Sequence, residues 1–211
     1  MHLVWDWNGT LLDDLALTIH ATNATIAAAG GRPITLDEHK KTFRRPLTDF
    51  YAEVLGRPVT SAEFAHLDTV FYRVYHAGLE ACPLAADVWE ALAAWPWTQS
   101  VLSMWGHVEL VRELDRRGLT GHLARVDGCR NNGLGDLKRA YLAGHLATVG
   151  VNGATCVLIG DSLDDADAAA AVGGRCVLYA GGITDPARLR ATGYPVAFTL
   201  VEAVELAQGR R

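Results

Sequence analysis

Leu3-Val4-Trp5-Asp6-Trp7-Asn8-Gly9-Thr10-Leu11 carries an apolar, strand-forming segment straight into an aspartate and a Gly-Thr turn, with the polar pair Asp13-Asp14 just beyond. This order places a carboxylate at the carboxyl end of a buried strand, where open α/β sheets bind their ligands. Asn8 stands two residues after that aspartate. Its side-chain amide exchanges no proton near neutral pH, so it is no substitute for a carboxylic acid.

Further strand-like runs cover residues 99–104, 123–127, 155–160, 175–179 and 196–200. The runs Val101-Leu102 and Cys156-Val157-Leu158-Ile159 do not alternate with polar residues, as expected of strands buried on both faces. Helical patterns at 108–117, 137–149, 164–172, 186–191 and 201–208 separate them. Apolar strands alternating with helices predict βαβ units and a parallel sheet covered on both sides.

Residues 15–81 break this rhythm. They offer no convincing strand and read as successive helices at 15–29, 36–42, 47–55 and 62–78, with Thr60-Ser61-Ala62-Glu63 as a capping box for the last. The expected division is an α/β core of residues 1–14 and 82–211 and a small helical unit of residues 15–81.

Composition narrows the function classes. The 211 residues are half hydrophobic, enough for one substantial core. The net charge of −5 argues against a nucleic-acid binder, which needs a basic face. No apolar run reaches the roughly 18 residues of a membrane span, and the first strand leaves no room for a leader. Cys82, Cys129, Cys156 and Cys176 are scattered and read as reduced thiols, three of them in or beside apolar runs. These features point to a cytoplasmic protein, as monomer or homodimer. The histidines show no metal-ligand spacing, and His107 reads as a capping or packing residue.

Four positions fall at or just beyond strand ends: Asp6, Ser103, Lys138 and the acidic cluster Asp161-Ser162-Leu163-Asp164-Asp165. Lys138 follows the glycine-rich turn Asn131–Asp136 and is set apart from Lys40 and Lys41 in a chain whose cations are otherwise arginines. Each has an ordinary structural explanation: Asp161 or Ser162 as a helix cap, Ser103 satisfying a local backbone group, Lys138 as a solvated charge. Their order is harder to explain that way, because acid, hydroxyl, lysine and acid pair all fall at the same edge of one parallel sheet.

In that order the chain resembles the haloacid dehalogenase superfamily, in its phosphoglycolate phosphatase-like branch, over essentially its whole length. The resemblance implies a Rossmann-like, doubly wound parallel sheet with an all-helical cap inserted after the first strand. It also implies a Mg²⁺-dependent phosphatase for a small phosphate monoester such as phosphoglycolate or a sugar phosphate. Asp6 matches the nucleophile of the first motif, Ser103 the hydroxyl of the second, Lys138 the lysine of the third, and Asp161 and Asp165 the acids of the fourth. The resemblance assigns metal binding to Asp6, the backbone carbonyl of Asn8, Asp161 and Asp165. It assigns the phosphoryl oxygens to Ser103 and Lys138.

Physical chemistry favours those roles. A carboxylate attacking a phosphoryl group needs both charges offset, and a hard cation with oxygen ligands does this. A hydroxyl and a lysine then stabilise the transferring oxygens. On the substrate side, Trp7 is expected at the mouth of the site. Arg44 or Arg45, in Phe43-Arg44-Arg45-Pro46-Leu47, is expected to grip an anionic group by bidentate bonds.

Asn8 departs from the family's Asp-x-Asp-Gly-Thr, whose second aspartate is the general acid and base. Three readings follow. Asp13, Asp14, a cap histidine or solvent replaces the acid, or the leaving group needs none. Or the reaction is of the phosphonoacetaldehyde hydrolase kind, which begins Asp-Trp-x-Gly-Thr and uses a cap lysine, with Lys40 and Lys41 as candidates. Or the protein binds a phosphorylated metabolite with little or no turnover.

Overall fold

The computed structural model describes residues 1–130 and 137–210; the Asn131–Asp136 turn lies outside the described residues. Its strands are β1 (His2–Trp5), β2 (Thr98–Gly106), β3 (Val126–Cys129), β4 (Cys156–Gly160), β5 (Arg175–Tyr179) and β6 (Val196–Ala197). They form one parallel sheet in the order β3-β2-β1-β4-β5-β6. The chain works outward from β1 to β3, then returns to β1's other side, so the strand order reverses between β1 and β4. That reversal opens the crevice in which such sheets hold ligands. Register aligns the edge: Trp5 is level with Val101 of β2 and Ile159 of β4, so Asp6, Ser103 and Asp161 emerge together.

Side chains alternate between two cores. Leu3, Trp5, Val101, Val157 and Ile159 pack with α5 (Val88–Ala94), α6 (His107–Arg116) and α10 (Leu200–Ala207). Val4, Leu102, Leu158 and Leu178 pack with α7 (Arg139–Val149), α8 (Leu163–Ala171) and α9 (Pro186–Ala191). Burying one such aliphatic chain is worth about 1.5–3 kcal/mol. The sheet is therefore doubly wound, and its non-alternating strand sequences reflect burial on both faces.

Between β1 and β2, the described residues up to Gly78 form α1 (Leu15–Ala28), α2 (Leu36–Thr42), α3 (Leu47–Leu55) and α4 (Ser61–Gly78), with no strand. α1 packs along α4. Ile26, Ile34, Phe50, Tyr51 and Phe64 make a small core of their own. Thr60 caps α4 by accepting from the Glu63 N–H at 3.2 Å, and Thr35 with Glu38 forms a complete capping box on α2.

Several expected boundaries move, each for a local reason. β1 stops at Trp5, where the sequence predicts a strand over 3–7, because the Trp7 carbonyl turns to accept from Thr10 and Leu12. β3 lies a few residues later than expected, since the Leu123 N–H closes the 3₁₀ turn Thr120–His122. β6 has two residues only, because Thr199 caps α10 by accepting from the Glu202 N–H. α5 was not expected at all. Its seven residues, three of them alanine, lie between Pro83 and Pro96, too short to show a helical period.

Between the sheet and α7, Ser100 Oγ bonds His145 Nε2 at 2.7 Å and His145 Nδ1 bonds Asp127 at 2.8 Å. This has the connectivity of a catalytic triad, but Ser100 is wholly buried and also holds His2 of β1, so the chain cross-braces β1, β2, β3 and α7.

Candidate active site

Asp6 directly extends β1: its N–H still pairs with the Ile159 carbonyl of β4 at 2.8 Å. Its Oδ1 accepts from the Trp7 N–H and from Lys138 Nζ, each at 2.8 Å. Lys138 opens α7, its backbone N–H fastened to Asp164 Oδ2 at 3.1 Å, and its side chain is buried. The same ammonium contacts Asp165, in the first turn of α8. Asp165 is held in place by the Ser162 N–H and hydroxyl, at 3.0 and 2.6 Å.

Asp161 follows β4 and accepts from the Ile183 N–H at 2.6 Å. Backbone presses on it from two sides. A Cβ on Gly182 would lie 2.0 Å from Asp161 Oδ2, and one on Gly9 2.3 Å away. Gly9 also has φ +68°, the left-handed region that favours glycine. The glycine of the opening motif thus makes room for an acid more than 150 residues later in the chain.

Asp6, Asp161 and Asp165 offer oxygens within 4.8 Å of one another, all buried. Burial pushes the Asp6 carboxyl up to about 7; Lys138 works against that rise and Asp165 adds to it. Asp161 is raised well above the usual carboxylate range, by burial and then by repulsion from Asp6 and Asp165. Burial opposes the charge on Lys138, but Asp165 and Asp6 more than reverse this and raise its pKa, so the lysine stays protonated. One ammonium faces three carboxylates. An all-oxygen donor set with surplus negative charge fits a hard divalent cation such as Mg²⁺.

Asn8 lies beside this cluster with its side chain fully engaged. Its Nδ2 donates to Asp14 Oδ2 at 2.9 Å and to Tyr75 Oη at 2.8 Å, and its Oδ1 accepts from Ser103 Oγ at 3.3 Å. Tyr75 donates to Asp14 at 2.5 Å, and the Gly9 N–H donates to Asp14 Oδ1 at 2.7 Å. Burial raises the Asp14 pKa despite these donors. Ser103 Oγ also accepts from the Trp105 N–H at 3.1 Å, which turns its hydroxyl toward Asn8.

These residues line a cavity of about 140 Å³ whose far side comes from α1–α4. Asp6, Asn8, Ser103, Lys138 and Asp161 all line it, and Asp165 lies directly behind, against Lys138. Arg45 reaches the wall, with Nε 3.7 Å from Asp164 Oδ2; Arg44 instead pairs with Glu53 and leaves the wall. Trp7 corrects the expectation placed on it. It is wholly buried in the core and absent from the cavity wall, because the turn after Asp6 sends its ring under the sheet.

Lys40 and Lys41 also stay off the wall. The Lys40 backbone carbonyl docks on the Asp185 N–H and on Arg188, which fixes that segment with His39 facing in. Asp13 is exposed, and His107 accepts from the Gly128 N–H, a packing role. Not expected from the sequence is the part of the wall that α4 contributes: Asp68, Phe71, Tyr72 and Tyr75. A signal was present, since 68, 71, 72 and 75 share one face of a helix.

Residues 133–205, which include Lys138, Asp161 and Asp165, match a family model described as HAD-hydrolase-like. A haloacid dehalogenase-like hydrolase from Streptococcus pneumoniae superposes with a TM-score of 0.81 at 15% identity, covering 100% of this chain and 98% of that one. The chain has the haloacid dehalogenase fold. A predicted phosphatase from Clostridium acetobutylicum shares this haloacid dehalogenase architecture (TM-score 0.81, 16% identity, 99% and 98% covered). So does a predicted phosphoglycolate phosphatase from Haemophilus somnus (0.74, 15%, 99% and 97%). Comparison with curated protein sequences gave no match. No helix among the described residues is long and apolar enough to cross a membrane.

Proposed function

We propose that this haloacid dehalogenase-fold protein is a Mg²⁺-dependent phosphatase of a small phosphate monoester, acting in the cytoplasm, with residues 15–81 as a cap over the core of residues 1–14 and 82–211. The observation that carries this reading is Asp6: a carboxylate at the sheet's switch point, 2.8 Å from a buried ammonium, facing a cavity that Asp161 also lines, with Asp165 behind the ammonium. Asp6, Asp161, Asp165 and the Asn8 carbonyl would hold Mg²⁺, which supplies charge neutralisation between nucleophile and phosphoryl group.

Asp6 attacks phosphorus; an Asp6 O–P bond forms as the bond to the leaving oxygen breaks, and the leaving oxygen keeps the electron pair. Lys138 and Ser103 hold phosphoryl oxygens as their charge redistributes. Water then cleaves the aspartyl-phosphate and regenerates Asp6. A Schiff-base route finds no support on the cavity wall, where Lys138 is held protonated between two carboxylates.

A second reading, phosphometabolite binding with little turnover, is favoured by Asn8, which cannot protonate a leaving alkoxide. A screen of phosphate monoesters with Mg²⁺ and with chelator decides between them. The proposal expects phosphate release that chelator abolishes. Ligand-induced thermal stabilisation with no release would favour the binding protein.

A further inference from the structure

We propose that the ester this site serves is an aryl phosphate, a single aromatic ring bonded through oxygen to phosphorus. This rests on the phosphatase reading and narrows it. Three independent features of the cavity converge on it.

The first is the wall. Phe43, Phe71, Tyr72, Tyr75, Met104 and Trp105 face the space that the leaving group would occupy, and Phe43, Phe71 and Tyr72 are only half-buried, leaving ring surface for a ligand. The rings are already set in aromatic packing geometry, with Phe71 stacked on Tyr75 at 5.6 Å and edge-on to Tyr72 at 5.5 Å. The cavity of about 140 Å³ also contains the end against Asp6 and Lys138 where the phosphoryl group would sit, so the space left limits the leaving group to one ring.

The second is charge. Apart from Lys138, Arg45 is the cation on the described wall; Asp164 lies 3.7 Å from it, and Asp68 adds a carboxylate to the same cavity. A leaving group bearing its own carboxylate, such as glycolate, meets no surplus positive charge there. A ring with a hydroxyl or amino substituent does find partners.

The third is the acid missing at position 8; Asp14 also borders the cavity, but both of its oxygens are already held by donors, from Asn8, Tyr75 and the Gly9 N–H. Every polar atom of the Asn8 side chain is already committed to Asp14, Tyr75 or Ser103, and an amide has no proton to give. An alkoxide needs that proton to leave. A phenolate, with conjugate acid near pKa ~10 against about 15.7 for water, leaves without it. An aromatic wall and an absent acid have different structural origins, yet both select the same class of ester.

The test uses the full chain with Mg²⁺ and four compounds: phenyl phosphate, benzyl phosphate, acetyl phosphate and phosphoglycolate. Phenyl phosphate is expected to exceed benzyl phosphate in kcat by about 10²-fold or more, since only the leaving-group basicity changes much between them. Its KM is expected to lie about tenfold or more below that of acetyl phosphate, which leaves easily but brings no ring. Tyr72→Ala should lower kcat/KM for phenyl phosphate about tenfold more than for acetyl phosphate. Inhibition of the unmodified protein by phenylphosphonate against methylphosphonate reads the same ring preference without a variant. Phosphoglycolate matching phenyl phosphate in kcat/KM, or phenylphosphonate binding no better than methylphosphonate, would overturn the proposal. Failure to turn over any of the four would instead overturn the phosphatase reading beneath it.

Discussion

Asn8 and Asp14 face each other across 2.9 Å, amide to carboxylate, two residues beyond Asp6 in one case and eight in the other. The amide at position 8 spares the site a second acid pressed against Asp14. Putting an acid there therefore has two consequences. Asn8→Asp supplies a proton donor, and it also places two carboxyls within hydrogen-bond distance, so that one of them holds a proton at neutral pH.

The kinetic consequence is selective. Asn8→Asp is expected to raise kcat for benzyl phosphate by about 10²-fold, the lower end of general acid catalysis, and to change phenyl phosphate by less than about tenfold. Steady-state kinetics on the two esters checks this. Equal gains on both would show that Asn8 does not stand in the place of a missing acid.

The acidic trio predicts a stability change as well. Asp161→Asn removes one of three mutually repelling carboxylates while leaving an oxygen to accept from the Ile183 N–H. Without divalent metal the variant should therefore melt at or above the temperature of the parent. With Mg²⁺ at about a hundred times its dissociation constant, the parent gains about 2.7 kcal/mol, or roughly 5–10 °C, and the variant gains much less. Thermal unfolding with and without Mg²⁺ measures both; an unchanged Mg²⁺ response in the variant would remove Asp161 from the metal site.

How much of this was legible beforehand depends on the kind of residue. β4 and β5 were visible because burial on both faces leaves an unbroken apolar run, and Asp6 and Asp161 because they directly follow strands that register aligns, with Ser103 of β2 close to their level. α5 was not visible, since seven residues make only about two turns, too few for a period to show. Trp7 was misplaced because one step past a strand end the chain turns, and a turn's direction is set by tertiary hydrogen bonds such as those to the Trp7 carbonyl. The aromatic wall was overlooked for a different reason. Phe71, Tyr72 and Tyr75 form the pattern of a buried helix face, and sequence alone does not say whether that face meets protein or a cavity.

His39 provides a pH prediction. It is buried in the small core of the cap between Phe43 and Phe50, and its Nδ1 has no hydrogen-bond partner among the described residues. Burial, with Lys40 nearby, pushes its pKa down to about 4. Between the unfolded value near 6.5 and about 4, the unfolded chain holds a proton that the folded one does not, so stability falls as pH falls through that window. His39→Leu should flatten this slope: between about pH 7.5 and pH 5 its melting temperature should fall less than the parent's. Parallel declines would mean that His39 is already protonated in the folded protein. His2, also lowered to about 4, leaves a residual slope in the variant.

The central claim is that Asp6 is the group that attacks phosphorus, and Asp6→Asn tests it most directly. Asparagine retains an oxygen to accept from the Trp7 N–H and Lys138, so the fold should survive, as circular dichroism and the melting temperature would show. The measurement is Mg²⁺-dependent release of phosphate from phenyl phosphate by the folded variant. The account predicts a loss of about 10³-fold or more in kcat, because no phosphoryl-enzyme can form. Turnover within about tenfold of the parent would contradict it, and would place the nucleophile elsewhere.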